Sequence, residues 1–166
     1  MLIDHKKEYD KAIASYEKAI EINPKYDEAY CNMGNAYHHK KEYDKAIASY
    51  QKYLQINPNN SLAYSNLFEL QLTQDEPFDE VLESKYSELF QNKKEIFIQY
   101  EMLKILETIH LDKVYSLSLD EWKQKYDGVS LGSWGWDEID TWMETIEDST
   151  KKAKLLEAVE VFKKQR

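Results

Sequence analysis

Cys31, Asn35, His38 and His39 fall in one nine-residue window and carry the side chains best suited to metal or nucleophilic chemistry. A thiolate and an imidazole together can hold zinc. Adjacent His residues, however, diverge by about 100° around a helix, and there is neither a second Cys nor a His-x-x-x-His pair to complete a ligand set. The lone Cys31 has no evident base near it in sequence. The stretch Gly128 to Gly135 is Gly-rich, but it lacks the Lys and the preceding strand of a phosphate-binding loop. No Ser elbow occurs either. These patterns predict no catalytic residue, no metal and no cofactor.

The second concentration of chemistry is aromatic. All four Trp lie between Trp122 and Trp142, around the loop that holds three of the four Gly. Such rings can line an apolar pocket or form the core of a small helical domain. The core reading is preferred. Trp134, flanked by Ser133 and Gly135, is expected to be the most exposed and to form a second surface with Trp136.

The elements that position these residues are set by an internal copy. Lys7 to Tyr16 returns unchanged at Lys41 to Tyr50, an offset of 34. Ile22-Asn-Pro24 returns as Ile56-Asn-Pro58, and Ala29-Tyr30 as Ala63-Tyr64. A fixed period of this length marks a helix-turn-helix repeat. Tyr30, Met33 and Tyr37 make one helical stripe, and Ala46, Tyr50, Tyr53 and Leu54 make another. Gly34 and Ala46 are small residues on facing stripes, where two helices can approach closely. Pro24 and Pro58 follow the second helices and stop them. One hairpin cannot cover its own apolar face, so neighbours must stack and leave a concave surface.

The unit 27–60 resembles the tetratricopeptide repeat family. The residues that carry the resemblance are Tyr30, Met33-Gly34, Tyr37, Ala46, Tyr50 and Pro58. Tyr53 departs from it, since the family has Ala there, as the preceding unit does at Ala19. The resemblance implies an all-α solenoid of antiparallel hairpins. Its first helices would line a groove for a peptide or partner helix, with Glu28, Cys31, Asn32, Asn35, His38 and His39 on that face. The matching residues of the next unit are Leu62, Ser65, Asn66, Glu69 and Thr73. Asn amides can bond a peptide backbone through both donor and acceptor. One subclass of the family grips carboxylate termini with Lys and Arg. Glu28, Cys31 and Leu62 stand where those cations would be needed, so that reading is rejected.

These signals divide the chain into a repeat array at 1–91 and a helical C-terminal domain at 92–166, expected to pack on the array. The array comprises a partial unit 1–26, the full unit 27–60 and an irregular unit 61–91. In the irregular unit Phe68 replaces the family's Gly, the turn Thr73–Pro77 is longer, and Leu82, Tyr86 and Leu89 resume the second stripe. Beyond it, Asn92 with Glu95 reads as a helix start. Ile96 to Ile109 is apolar on most of its circumference and should be buried. Ser118-Leu-Asp-Glu121 is a capping box. A helix over about 137–147 gathers Ile139, Trp142, Met143 and Ile146. A last helix, capped by Asp148 or Ser149, carries Ala153, Leu155, Leu156, Val159 and Phe162 as its apolar residues.

Bulk properties narrow the function further. The net charge of −9 argues against a nucleic-acid partner. No apolar run approaches the roughly 18 residues of a membrane span, and Met1 to His5 lacks a signal-peptide core. The single Cys fits a reducing compartment, so the chain is expected to be cytoplasmic. The partial first unit leaves an open N-terminal end. Either the chain is cut from a longer array, or a second copy covers that end in a homodimer. Residues 120–148 carry a net −7 and 151–166 a net +4, which suits pairing between adjacent helices and solvated faces, a reading preferred to an acidic face for a basic partner. The expected function is non-enzymatic: a protein-interaction module that binds a peptide or helix in its groove. The alternative is a small acidic chaperone or adaptor for a specific client.

Overall fold

The computed structural model describes residues 5–114, 117–131 and 135–164, and among these it is helical with no strand. The chain divides into two compact units, 1–70 and 71–166. The division falls inside the fourth helix.

In the first unit, helix α1 (His5–Ile22) and helix α3 (Tyr43–Ile56) are the two copies of the repeated sequence. Helix α2 (Asp27–His39) packs against both. The copies are alike at some of their shared positions. Ile13 and Ile47 are both buried. Ser15 Oγ donates to the Lys11 carbonyl at 2.9 Å, and Ser49 Oγ donates to the Lys45 carbonyl at 2.7 Å. They differ in burial at others: Ala46 and Ser49 are buried, whereas Ala12 is half-buried and Ser15 exposed, and the last tyrosines differ too. Tyr50 is fully buried and its copy Tyr16 is half-buried, because α2 offers Tyr50 the space above Gly34.

The Asn-Pro turns hold the hairpins in register. After α1, Asn23 accepts from the Lys25 N–H through its side chain and from the Tyr26 N–H through its carbonyl. After α3, Asn57 donates to Asp27 at 2.9 Å, joining the end of one helix to the start of another. Asn60 then caps helix α4 (Ser61–Thr73) by accepting from the Ala63 N–H at 3.0 Å.

The second unit is built around helix α6 (Lys94–His110), which packs against α5 (Glu80–Phe90) and α9 (Ser149–Lys163). It is buried on most sides, as its apolar circumference requires. Tyr86 of α5 lies among Phe90, Phe97 and Tyr100, with ring centroids 4.8 to 5.8 Å away. Its hydroxyl donates to the Ile96 carbonyl at 3.0 Å. Helix α7 (Leu119–Lys125) begins with the expected capping box of Ser118 and Glu121. Helix α8 (Asp137–Thr145) buries Ile139, Trp142 and Met143, and Asp148 caps α9 through the Thr150 and Lys151 N–H groups. Trp122 meets Phe162 edge-on at 4.6 Å.

One expectation, the start of α6, fails here. Helix α6 is preceded by Lys93, not Asn92, and Lys93 gives no side-chain cap. On α9, Ala153 and Leu156 are exposed, and Ala158 takes the buried place. The buried circumference of α6 is also not purely apolar. It contains Glu101 and Glu107, which are 5% and 1% exposed.

Those two acids survive burial because each is matched by cations and donors. Glu101 accepts from Lys125 at 2.9 and 3.0 Å and from the Tyr126 hydroxyl at 2.6 Å. Glu107 accepts from the Phe78 N–H at 3.1 Å and pairs with Lys104 at 2.7 Å and Lys113 at 3.0 Å. Lys104 also reaches Glu83 at 2.7 Å, and Glu83 accepts from the Tyr100 hydroxyl.

Candidate functional site

Helix α2 presents Glu28, Asn32, Asn35 and His39 at i, i+4, i+7 and i+11, and all four are exposed. Cys31 and His38, beside this stripe, are half-buried. The opposite side of α2 is committed to packing through Ala29, Gly34, Ala36 and Tyr37. On α4, Leu62 is 66% exposed, Asn66 and Glu69 are half-buried, and Ser65 is only 3% exposed. Ser65 therefore drops out of the expected face. Its helix is buried on most of its circumference, through Ala63, Tyr64, Leu67, Phe68 and Leu70.

The Tyr50 hydroxyl joins the two stripes. It donates to Asn35 Oδ1 at 2.7 Å, and the Asn66 side chain bonds the same hydroxyl. Burial pushes the Tyr50 phenol up to about 12, against the opposing pull of the Asn66 bond, with Cys31 and Glu69 adding to the rise. Asn35 and Asn66 are thus partly engaged within the fold, and Asn32 is the amide with the freest surroundings. Nearby, the Tyr53 hydroxyl accepts from Asn60 at 2.8 Å. Burial raises the Tyr53 phenol too, with Cys31, Asp27 and Glu28 contributing.

The window that suggested metal chemistry resolves differently. The His38 and His39 rings do not diverge. They lie nearly parallel at 6.0 Å, continued by Tyr9 on His39 at 5.2 Å and Tyr43 on His38 at 5.9 Å. The sequence gives no sign of this, because Tyr9 and Tyr43 approach from α1 and α3. Burial, and then Asp27, push the Cys31 thiol upward. A reactive thiolate needs the opposite shift. Among the described residues no three His, Cys, Asp or Glu side chains are grouped to hold a metal ion.

In the second unit, Trp122 and Trp142 are core residues. Trp136 is half-buried, with Lys163 Nζ 5.5 Å from its ring while the same ammonium pairs with Asp140 at 2.7 Å. Trp134 lies outside the described residues. A cleft of about 300 Å³ is lined by Thr108, Ile109, Asp112, Lys113 and Lys154. Its Lys113 is held by Glu107 and its Asp112 by Lys151, so much of its charge is matched within the fold. No helix among the described residues is long and apolar enough to cross a membrane.

Residues 5–41 match the family model for the TPR repeat, and residues 27–60 match that for the tetratricopeptide repeat. No curated protein matches the chain. The segment 5–60 is therefore built of tetratricopeptide repeats, a fold that generally serves protein–protein interaction.

Proposed function

We propose that this chain is a non-enzymatic interaction module, and that the face formed by α2 and α4 holds a peptide or a helix of a partner protein. The observation that carries the reading is the row Glu28, Asn32, Asn35 and His39, exposed along a helix whose other side is packed. A rigid support of this kind orders polar side chains before a ligand arrives, which lowers the entropy lost on binding. The exposed Leu62 adds an apolar contact to the polar row. A small chaperone or adaptor for one client is a narrower form of the same proposal.

The test is panning of a random peptide library on the whole chain, followed by anisotropy titrations of the retained peptides. Asn32→Arg and Leu62→Arg each place a bulky cation on the face without touching the core. Either change should weaken binding by about tenfold, as for a central interface position. Retained peptides that bind both variants as tightly as the parent would refute the groove.

A further inference from the structure

We infer that the α2–α4 face selects a cationic segment, one that carries Lys or Arg beside an apolar residue. The inference rests on reading that face as a binding surface and adds the chemistry of its occupant. Helix α2 contains Asp27 and Glu28, helix α4 contains Glu69, and neither contains Lys or Arg. The lysines of the repeat helices instead stand on α1 and α3, as Lys6, Lys7, Lys11, Lys18, Lys45 and Lys52. The lysines are therefore sorted by helix, with none on the pair that forms the face, whereas acids stand on all four helices.

The same acids stand near the hydroxyls of Tyr50 and Tyr53. The charged residues acting on them are Glu69 at Tyr50 and Asp27 and Glu28 at Tyr53, all acids. Asp27 is engaged by Asn57, while Glu28 is exposed and accepts from the exposed Tyr26 hydroxyl at 3.1 Å. A partner ammonium or guanidinium could therefore reach Glu28 with little desolvation. Leu62 on α4, 66% exposed, supplies an apolar contact for the same segment. An acidic segment would meet repulsion with no cation on either helix to offset it.

The experiment uses the whole chain and three labelled peptides of one Leu-, Ala- and Gly-containing sequence, with Lys, Gln or Glu at the same positions. Affinity should fall in the order Lys, Gln, Glu, with the Lys peptide favoured over the Gln peptide by roughly three- to tenfold at low salt. In Glu28→Gln/Glu69→Gln that preference should shrink towards unity. In Asp127→Asn/Asp137→Asn, which removes two exposed acids of the second unit, it should persist. Circular dichroism checks that each variant is folded, and Glu28→Gln alone, which keeps an acceptor for Tyr26, serves if the double variant is not. Equal affinity for the three peptides overturns the inference. So does a preference that survives Glu28→Gln/Glu69→Gln, or one lost equally in the second-unit variant. If Asn32→Arg abolishes binding while charge has no effect, the groove stands and only its cationic selectivity falls. If Asn32→Arg leaves binding of every peptide intact, the groove reading itself falls.

Discussion

The ring of Tyr50 fills the space that a side chain at Gly34 would need. A Cβ on Gly34 would stand 2.7 Å from Tyr50 Cε1 and 2.8 Å from Cδ1. The close approach expected between Gly34 and Ala46 is thus made at Gly34 by an aromatic ring. That ring has little freedom to retreat, since Tyr50 is fully buried and its hydroxyl is tied to Asn35. Gly34→Ala should gain about 1 kcal/mol of helix propensity but lose about 1–3 kcal/mol to overpacking, leaving a net destabilisation. Urea denaturation of the parent and variant measures it. In a Tyr50→Leu background, where the ring is absent, the same substitution should cease to destabilise.

The phenol above Gly34 makes a separate prediction. Tyr50→Phe keeps the ring and removes the hydroxyl shared by Asn35 and Asn66, at a cost of about 1–2 kcal/mol. The folded pKa, about 12, lies above the ordinary value of 10.0. The folded state therefore holds this proton more tightly than the unfolded state. The stability so contributed is full below pH 10.0 and is lost as pH rises towards about 12. The urea midpoint of the parent should fall towards that of Tyr50→Phe over this alkaline range. A gap between them that stays constant would show that the hydroxyl does not titrate as its burial requires.

Among the described residues, three helices end in a left-handed residue that is not glycine: Lys41, Asp75 and Asp112, with φ of 61°, 58° and 52°. At Lys41 the Glu42 N–H reaches the Tyr37 carbonyl and the Lys41 N–H reaches the His38 carbonyl, the two bonds of a Schellman ending. Lys41→Gly should stabilise the chain by about 0.5–1 kcal/mol, since glycine adopts this backbone without the Cβ penalty. Asp75→Gly should not. Its carboxylate accepts from Trp142 Nε1 at 3.1 Å and from His110 Nε2 at 2.8 Å, and losing those contacts outweighs the backbone gain. Thermal denaturation of the two variants separates the backbone effect from the side-chain effect. A rise in Tm for both would remove the structural role assigned to Asp75.

The identical decapeptides made the first unit readable, because a copy at a fixed offset imposes the same helix and the same apolar stripe twice, although the stripe is buried more completely in α3 than in α1. The apolar circumference of Ile96–Ile109 made the central helix of the second unit equally plain. What escaped was whatever depends on side chains brought together from elsewhere. Ser65 is polar and was expected outside, yet its helix is covered on most sides. The left-handed turns carry Lys and Asp, so the usual glycine signal is absent. Nothing near Glu101 in sequence announces Lys125 and Tyr126, which make its burial tolerable. On the candidate face, the positions of Asn35 and Asn66 were legible from the repeat, but their shared partner Tyr50 was not.

Glu107 gives the sharpest test of the buried network. Burial alone would push its carboxyl up, but Lys104, Lys113 and the Phe78 N–H prevail and hold it below the ordinary 4.5. Burial likewise opposes the charge on Lys104, and Glu107 with Glu83 reverse that and raise it. Glu107→Gln keeps an acceptor for Phe78 but removes the charge that Lys104 and Lys113 share, and should cost about 2 kcal/mol near neutral pH. Because the folded pKa is depressed, the unfolded state takes up the proton first as acid is added. The contribution is present above pH 4.5 and disappears as pH falls through the folded value. The gap in urea midpoint between parent and Glu107→Gln should therefore be widest at neutral pH and should close in acid. A gap independent of pH would mean that the variant acts through packing, and that the carboxylate is not held ionised by its lysines.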